Sequence, residues 1–219
     1  MGFLWWRKDK PKGISSAHRA RLADKDVRKA VDGYRRFRHH FEADRAFYGR
    51  LSASQEPNLL WIGCSDSRVV PNIITNADPG SLFVVRNIAN IVPPAGSGDS
   101  SVGAAIEYAV LHLGIDDIVV CGHTNCGGVK AIQEGLPGPE VHLHSWVRHS
   151  SVPKQMSALE ATKRNIRAQR DNLLTYDVVR ERAEKGALNV HEWLYDMDEG
   201  EILAYDAETD RWRHLAGGD

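Results

Sequence analysis

The sequence contains few cysteines, no long apolar run and little net charge, and each absence excludes a class of protein. Three cysteines at scattered positions in 219 residues do not build the disulfide framework of a small secreted domain. Because their number is odd, we expect a reducing compartment and a cytoplasmic protein. No apolar stretch approaches the length that crosses a bilayer, and the first basic residues follow the apolar ones, the reverse of a secretory signal.

The net charge of −1 conceals an uneven distribution of charge along the chain. Residues 1–50 contain 14 Lys and Arg but 6 Asp and Glu, whereas the rest of the chain is acidic. Such a basic segment either binds an acidic surface, for example a neighbouring subunit, or is a solvated helix surface, and charge alone leaves both alternatives open. We expect residues 1–22 to be a flexible basic segment and residues 23–219 to form one domain, with no nucleic-acid partner.

Helical and strand patterns alternate along the chain after residue 23. Apolar residues at helical spacing predict a helical arm from residue 24 to the region before Pro57. The predicted strands are 59–64, 82–86, 117–121, 188–195 and 202–205, and the predicted helices are 101–113, 125–135, 157–175 and one ending at Gly186. This order predicts an α/β fold: a mostly parallel central sheet flanked by helices, with an N-terminal helical arm and a C-terminal hairpin. Residues 135–152 show no clear pattern and are interpreted as a loop.

Two polar clusters directly follow predicted strands. The sequence Cys-Ser-Asp-Ser-Arg occupies residues 64–68, and His-Thr-Asn-Cys occupies residues 123–126. In an open parallel sheet, ligands bind at the carboxyl ends of the strands, so Cys64, His123 and Cys126 are expected to converge there. Two thiolates and one imidazole, with a fourth position open, form a ligand set of catalytic zinc. The alternative is that the thiols are inert buried groups and the histidine is simply hydrogen-bonded.

Asp66 and Arg68 lie two and four residues beyond the first candidate ligand. A carboxylate in that place can accept a hydrogen bond from a water molecule at the metal, and a guanidinium that grips it keeps it charged and fixed. The alternative is a surface ion pair of little energetic value. Backbone N–H groups near Gly127 could bind a developing oxyanion of the substrate.

Several motifs in the same order make the chain resemble the beta-class carbonic anhydrases over about residues 26–205. The segments are CSDSR (64–68), VVRNIAN (84–90), VGAAIEYA (102–109), GHTNCGG (122–128) and WLYD (193–196). The resemblance implies reversible hydration of carbon dioxide to bicarbonate and a proton, with Zn²⁺ as the cofactor. It implies Cys64, His123 and Cys126 as the zinc ligands and Asp66 with Arg68 as the family's catalytic dyad. It further implies a homodimer or homotetramer in which the N-terminal helix embraces the partner.

Within the family, the sequence combines features of two subtypes. Trp61, Gly63, Arg86 and Tyr195 match positions that line a regulatory bicarbonate pocket in a subtype where the aspartate of the dyad closes the site as a fourth zinc ligand. Other stretches resemble the subtype whose site stays open. Glu192 replaces the glycine that usually precedes the late-strand tryptophan, which makes the geometry of that pocket an open question.

Two other functions fit the same ligands. One is a related zinc hydrolase of carbonyl sulfide or carbon disulfide, and the other is a non-catalytic protein whose zinc is closed by Asp66. Two cysteine ligands cancel the charge of zinc, so a catalytic site of this kind should prefer alkaline pH. Histidines outside the ligand set are candidate proton carriers by their ionisation range alone, or else surface and packing residues. These are His39, His40, His112, His142, His144 and His149.

Overall fold

The computed structural model describes residues 25–136 and 138–216. The chain divides into two compact units, residues 1–54 and residues 55–219, which are described separately. The expected flexible segment 1–22 lies outside the described residues, and the single-domain organisation of 23–219 stays a prediction. None of the helices in the described ranges combines the length and the apolar character that a bilayer crossing requires.

In the described part of the first unit, from residue 25 onward, the structure has two helices where the sequence predicted one. Helix α1 is Lys25–Ala43 and helix α2 is Arg45–Ala53. The break lies at Asp44, whose side chain accepts a hydrogen bond of 2.9 Å from the backbone N–H of Phe47 and so caps a new helix. The rings of Phe41 and Tyr48 stack across the break with their centroids 5.0 Å apart.

The second unit is built on a six-stranded sheet in the order β2-β1-β3-β4-β5-β6. The strands are β1 (Leu59–Cys64), β2 (Leu82–Asn87), β3 (Asp117–His123), β4 (Asn189–Asp196), β5 (Glu201–Asp206) and β6 (Arg211–His214). Strands β1 to β4 are parallel, whereas β5 and β6 continue the sheet as antiparallel strands. The predicted α/β fold with a mostly parallel sheet is confirmed. The sequence analysis missed β6, because its four residues, Arg-Trp-Arg-His, carry no alternating apolar pattern.

Helices connect and flank these strands. They are α3 (Pro71–Ile74), α4 (Ser101–Glu107), α5 (Gly127–Glu134), α6 (Val141–Val147), α7 (Ala158–Leu173) and α8 (Asp177–Glu184), with a 3₁₀ turn at Ile88–Asn90 and a π-helical turn at Tyr108–His112. The loop interpretation of residues 135–152 was wrong where α6 forms. Helix α6 is short and lacks a capping side chain, and a tertiary contact holds it: the Trp146 indole N–H donates to the Ile88 carbonyl at 2.9 Å.

The main core lies between the inner strands and helix α7. Ile62 and Val120 are buried in the same apolar cluster as Ile166 of that helix. Helix α7 is capped by Ser157, whose side chain accepts a hydrogen bond of 3.2 Å from the backbone N–H of Glu160. Gly122 allows the close approach of helix and strand, because a Cβ at this position would lie 2.7 Å from Cγ1 of Ile166. This packing fixes the carboxyl end of β3, where the candidate ligands lie.

Candidate metal centre

Three side chains from two neighbouring strand ends and one helix start meet at the carboxyl edge of the sheet. Cys64 is the last residue of β1, His123 is the last residue of β3, and Cys126 directly precedes α5. All three residues are buried, and their candidate ligand atoms lie within 4.8 Å of one another. The convergence follows from the parallel pairing of β1 with β3, which aligns the two strand ends.

The separation of the two sulfur atoms suits a zinc ion. The Sγ atoms of Cys64 and Cys126 are 3.8 Å apart. Two sulfurs bound tetrahedrally to zinc at about 2.3 Å each would be separated by about 3.8 Å. A disulfide would bring them to about 2.05 Å. The pair is therefore spaced as two ligands of one metal ion, and both thiols are free.

His123 offers one nitrogen to the same point. Its ring is fully buried, and Nδ1 lies 2.9 Å from the carbonyl oxygen of Thr124, to which it donates in the tautomer that leaves Nε2 unprotonated. Nε2 has no hydrogen-bond partner among the described residues. A buried polar atom without a partner is costly, and the backbone carbonyl orients the ring as in metal-binding histidines. The three residues thus fit a zinc ion, with Nε2 as the nitrogen ligand.

The two thiols are strongly coupled to each other. The hydrogen bond with Cys126 lowers the pKa of Cys64 to about 4, helped by His123, while the same hydrogen bond raises the pKa of Cys126. Within the pair, Cys64 is therefore the thiol that ionises more readily. Backbone N–H groups of Gly128 and Val129 also hydrogen-bond to Cys126, which favours its thiolate once a cation is present.

The turn between β3 and α5 depends on its local sequence. Asn125 has φ of 56°, a left-handed conformation that asparagine tolerates better than most residues. Gly128 lies against the 3₁₀ turn, and a Cβ there would be 2.9 Å from the Cβ of Ala89 and 3.0 Å from its backbone nitrogen. Gly127, the expected oxyanion-binding residue, is the first residue of α5 and directly follows Cys126.

Asp66 and Arg68 form a bidentate ion pair beside the candidate ligands. Arg68 Nε donates to Asp66 Oδ1 at 2.9 Å and Nη2 donates to Oδ2 at 2.7 Å, while the Arg68 backbone N–H donates to Oδ1 at 3.0 Å. These hydrogen bonds hold the pKa of the Asp66 carboxyl well below its usual range. Oδ2 is also 3.9 Å from Nε2 of His123. The carboxylate is therefore ionised, adjacent to the ligand cluster and oriented by Arg68.

Arg86 hydrogen-bonds to the backbone of the segment that contains Cys64 and Asp66. Its Nε donates to the carbonyl oxygen of Cys64 at 2.9 Å, and its Nη2 donates to the carbonyl oxygen of Asp66 at 2.6 Å. The sequence analysis assigned Arg86 only to a regulatory pocket and missed this contact. No sequence signal reveals it, because the two segments become neighbours only through the pairing of β1 with β2.

The strand register places the other candidate pocket residues on the same sheet face as Arg86. These residues are Trp61, Gly63 and Tyr195. Trp61 is fully buried and its indole N–H has no partner among the described residues. The indole lies over Gly63, where a Cβ would be 2.4 Å from Nε1. Glu192, the unusual residue before Trp193, points to the opposite face because consecutive strand residues alternate, so its carboxylate does not enter this group.

Two amide side chains of α7 hydrogen-bond to the backbone that follows β2, a role that the sequence analysis missed. Asn165 Nδ2 donates to the carbonyl oxygen of Ala89 at 2.9 Å, and Gln169 Oε1 accepts from the backbone N–H of Val92 at 2.8 Å. Both side chains are fully buried and joined by a hydrogen bond of 3.0 Å. The sequence offers one signal for this role: Asn165 and Gln169 are four residues apart on the same helix as the core residue Ile166. Buried amide side chains require hydrogen-bond partners.

Comparisons with known proteins agree with this geometry. Residues 59–202 match the family described as carbonic anhydrase. A carbonic anhydrase of Synechocystis sp. is 39% identical over 199 residues, 82% of this chain and 71% of the relative, and one of Pseudomonas aeruginosa is 40% identical over 207 residues, 87% and 92%. The solved structure of the beta-carbonic anhydrase CcaA superposes with a TM-score of 0.80 at 34% identity, covering 88% of this chain and 93% of that one.

A second solved structure, one of two tetrameric beta-carbonic anhydrases of Sordaria macrospora, superposes with a TM-score of 0.71 at 28% identity. It covers 90% of this chain and 100% of that one. The fold and the residues at the sheet edge define an α/β enzyme with a Cys-His-Cys group that could hold a metal ion. The chain belongs to the beta-class carbonic anhydrase family.

Proposed function

We propose that this protein catalyses the zinc-dependent, reversible hydration of carbon dioxide to bicarbonate and a proton. Cys64, His123 and Cys126 would hold the ion, which supplies Lewis-acid activation of a water molecule at neutral pH. The observation that carries the proposal is the buried, unpartnered Nε2 of His123 in one cluster with two sulfurs 3.8 Å apart. Three protein ligands leave a fourth position for water and substrate, as a catalytic zinc site requires.

The neighbouring residues have distinct roles in this reaction. Asp66 accepts a hydrogen bond from the attacking water and orients it, and Arg68 keeps that carboxylate ionised and fixed. The backbone N–H of Gly127, at the start of α5, is not used within the helix and binds the oxygen that becomes negative as bicarbonate forms.

The pairing of Asp66 with Arg68 favours catalysis over a purely structural zinc site. A structural site would use Asp66 as a permanent fourth ligand, whereas here Arg68 donates to both carboxylate oxygens. Hydrolysis of carbonyl sulfide or carbon disulfide remains the alternative enzymatic function, because the same residues would activate water for those substrates.

Trp61, Gly63, Arg86 and Tyr195 are proposed as a regulatory bicarbonate pocket. The unpartnered indole N–H of Trp61 is a buried donor that an anion would satisfy. Arg86 offers a direct link to the metal centre, since it already donates to the carbonyl oxygens of Cys64 and Asp66. Bicarbonate bound at Arg86 would shift the segment that carries one ligand and the dyad.

We further propose a homodimer or homotetramer in the cytoplasm, with no nucleic-acid partner. The tetrameric relative of Sordaria macrospora and the exposed apolar residues of α1, among them Tyr34 and Phe37, support self-association. The three free cysteines support a reducing compartment.

The test is stopped-flow measurement of carbon dioxide hydration by the zinc-loaded protein, with metal content and sulfide release from carbonyl sulfide measured on the same sample. We expect one zinc per chain and hydration that far exceeds sulfide release. The variant Cys121→Ser is a matched control, because Cys121 is a buried thiol outside the ligand cluster. Zinc-loaded protein without hydration activity would contradict the proposal, and dominant sulfide release would favour the alternative substrates.

A further inference from the structure

The buried amide side chain of Asn165, on helix α7, hydrogen-bonds to the 3₁₀ turn Ile88–Asn90 that follows β2. We propose that Asn165 is a positioning residue of the metal centre: it holds the carbonyl group of Ala89 so that the backbone N–H of Ala89 donates to Cys64 Sγ. This inference rests on the proposed function, because the sulfur that receives the hydrogen bond belongs to a proposed zinc ligand. It adds a residue that acts on the ligand through the backbone of the turn.

The turn contains a strained backbone conformation at Ala89. This residue is fully buried and has φ of 61° and ψ of 28°, which lies in the left-handed region that favours glycine. An alanine in this region costs about 1–2 kcal/mol relative to the right-handed conformation. Such a conformation persists only where the surrounding contacts enforce it, and residues of this kind are concentrated at functional sites. We therefore expect the conformation to place a group of Ala89 where the protein needs it.

The group that faces the metal centre is the backbone N–H of Ala89. This N–H hydrogen-bonds to the sulfur of Cys64, and so does the backbone N–H of Asp66. Ala89 lies in the same buried apolar cluster as Cys64 and Cys126, where the low dielectric strengthens a hydrogen bond. Donors to a ligating group orient it and tune how strongly the site holds its ion. The strained turn thus supplies a fixed donor to a candidate ligand.

Side chains from two helices hold the turn in this conformation. Asn165 Nδ2 donates to the Ala89 carbonyl at 2.9 Å, and the Trp146 indole N–H donates to the Ile88 carbonyl at 2.9 Å. Gly128 leaves the space that the turn occupies, because a Cβ there would lie 2.9 Å from the Cβ of Ala89. The hydrogen bond from Asn165 is made to the carbonyl group of Ala89 itself. It therefore fixes the peptide group that follows Ala89, and with it the backbone angles on which the direction of the N–H depends.

The amide of Asn165 is itself held in one orientation. Its Oδ1 accepts hydrogen bonds from Ser150 Oγ at 2.6 Å and from Gln169 Nε2 at 3.0 Å. Because a carbonyl oxygen can only accept, Nδ2 must face Ala89 and Oδ1 must face the two donors. Gln169 is fixed in turn, since its Oε1 accepts from the backbone N–H of Val92 at 2.8 Å. A fully buried amide with all of these partners is rigid enough to position the backbone that it contacts.

Asn172, on the same helix, provides the matched control. Its Nδ2 donates to the Val92 carbonyl at 2.9 Å, so it also supports the backbone that follows β2, but three residues beyond Ala89. If these amides only stabilise the fold, Asn165→Ala and Asn172→Ala should both lower the free energy of unfolding and bind metal equally well. If Asn165 positions the donor to Cys64, only Asn165→Ala should change the metal centre.

Two measurements on the unmodified protein and both variants test this role. One is zinc affinity by competition with a chelator, and the other is the sulfur-to-cobalt charge-transfer band of the cobalt-loaded protein. For Asn165→Ala we expect zinc affinity to fall about tenfold. We also expect its band to move to longer wavelength, because a thiolate that loses a hydrogen bond gives up electron density more readily. Asn172→Ala should change neither property, and unchanged affinity and band position in Asn165→Ala would overturn the proposal.

A further measurement uses the unmodified protein and so does not depend on whether a variant folds. In protein loaded with an NMR-active cadmium isotope, a hydrogen bond from a backbone N–H to a ligating sulfur gives a scalar coupling between cadmium and the amide proton. We expect this coupling at the Ala89 amide proton. Bound cadmium without it would overturn the role of Asn165 alone, because there would be no donor to position. Failure of the protein to bind zinc or cadmium at all would overturn the proposed function, and this role with it.

Discussion

Asp66 and Glu192 are both shielded carboxyl groups beside arginines, yet their surroundings shift their pKa values in opposite directions. The Arg68 guanidinium donates two hydrogen bonds to Asp66 and the Arg68 backbone N–H donates a third, and together they lower the pKa of Asp66. At Glu192 the nearest arginine nitrogens lie 3.8 Å and 4.0 Å away, Oε2 has no hydrogen bond, and burial raises the pKa. Proximity to an arginine does not keep a buried carboxylate charged; direct hydrogen bonds do.

The opposite pKa shifts of Asp66 and Glu192 agree with the roles proposed for their two regions. In the proposed reaction, the metal centre requires a permanent anion next to the attacking water; Asp66 would supply it, and its partner Arg68 is close in sequence. The contact of β4 with α7 places Glu192 beside Arg167 and Arg170, which are about half-exposed and pair with it only at long range. The region of Asp66 suits the proposed chemistry, whereas the region of Glu192 tolerates an imperfect ion pair within a well-packed core.

The largest expected effect comes from removing one of the proposed zinc ligands. Cys126→Ser replaces a thiolate by a hydroxyl, so we expect zinc affinity to fall at least about 100-fold and hydration activity to be lost. Zinc content after dialysis against a chelator, measured beside hydration activity, checks this. Cys121→Ser should keep its zinc, and retention of zinc by Cys126→Ser would exclude that sulfur from the ligand set.

A smaller loss is expected when the charge of Asp66 is removed. Asp66→Asn keeps the shape but no longer offers an ionised acceptor to the attacking water, so we expect kcat/KM to fall roughly 100-fold with zinc content unchanged. Arg68→Lys is the companion variant, because lysine keeps the charge but loses the two-pronged geometry. We expect its activity to lie between those of Asp66→Asn and the unmodified enzyme; full activity of Asp66→Asn would show that the carboxylate has no role in hydration.

A substitution that disturbs packing beside the metal centre should lower the free energy of unfolding. Gly128→Ala would place a Cβ 2.8 Å from Cγ2 of Ile88 and 3.0 Å from the backbone nitrogen of Ala89. Because the backbone of the 3₁₀ turn is held by Asn165 and Trp146, we expect a loss of about 1–3 kcal/mol in the free energy of unfolding. Urea denaturation measures it, and Gly127→Ala, with open space around its Cβ, is the control. Equal losses in both variants would show that the clash at Gly128 is not the cause.

The same contrast explains what could be predicted from the sequence. Asp66 and Arg68 are two residues apart, and Cys64 and Cys126 follow separate strands, so local spacing and the strand-end rule were enough to group them. Arg167 and Arg170 approach Glu192 only because of how α7 packs on β4, and Asn165 reaches Ala89 only through the same tertiary arrangement. Side chains brought together by helix-on-sheet packing leave no pattern in the sequence that identifies their partners.

The smallest expected effect concerns Glu192. Its pKa is raised in the folded state, so the stability contributed by its protonated form is fully present below the unfolded value of about 4.3 and is lost as the pH rises through the folded pKa. Glu192→Gln keeps a neutral side chain at every pH. We therefore expect the variant to gain about 1 kcal/mol over the unmodified protein at pH 8 and to match it near pH 4.5, as measured by urea denaturation. If the long-range arginines instead stabilise the charged form, the variant would be less stable at pH 8, and the contrast with Asp66 would fail.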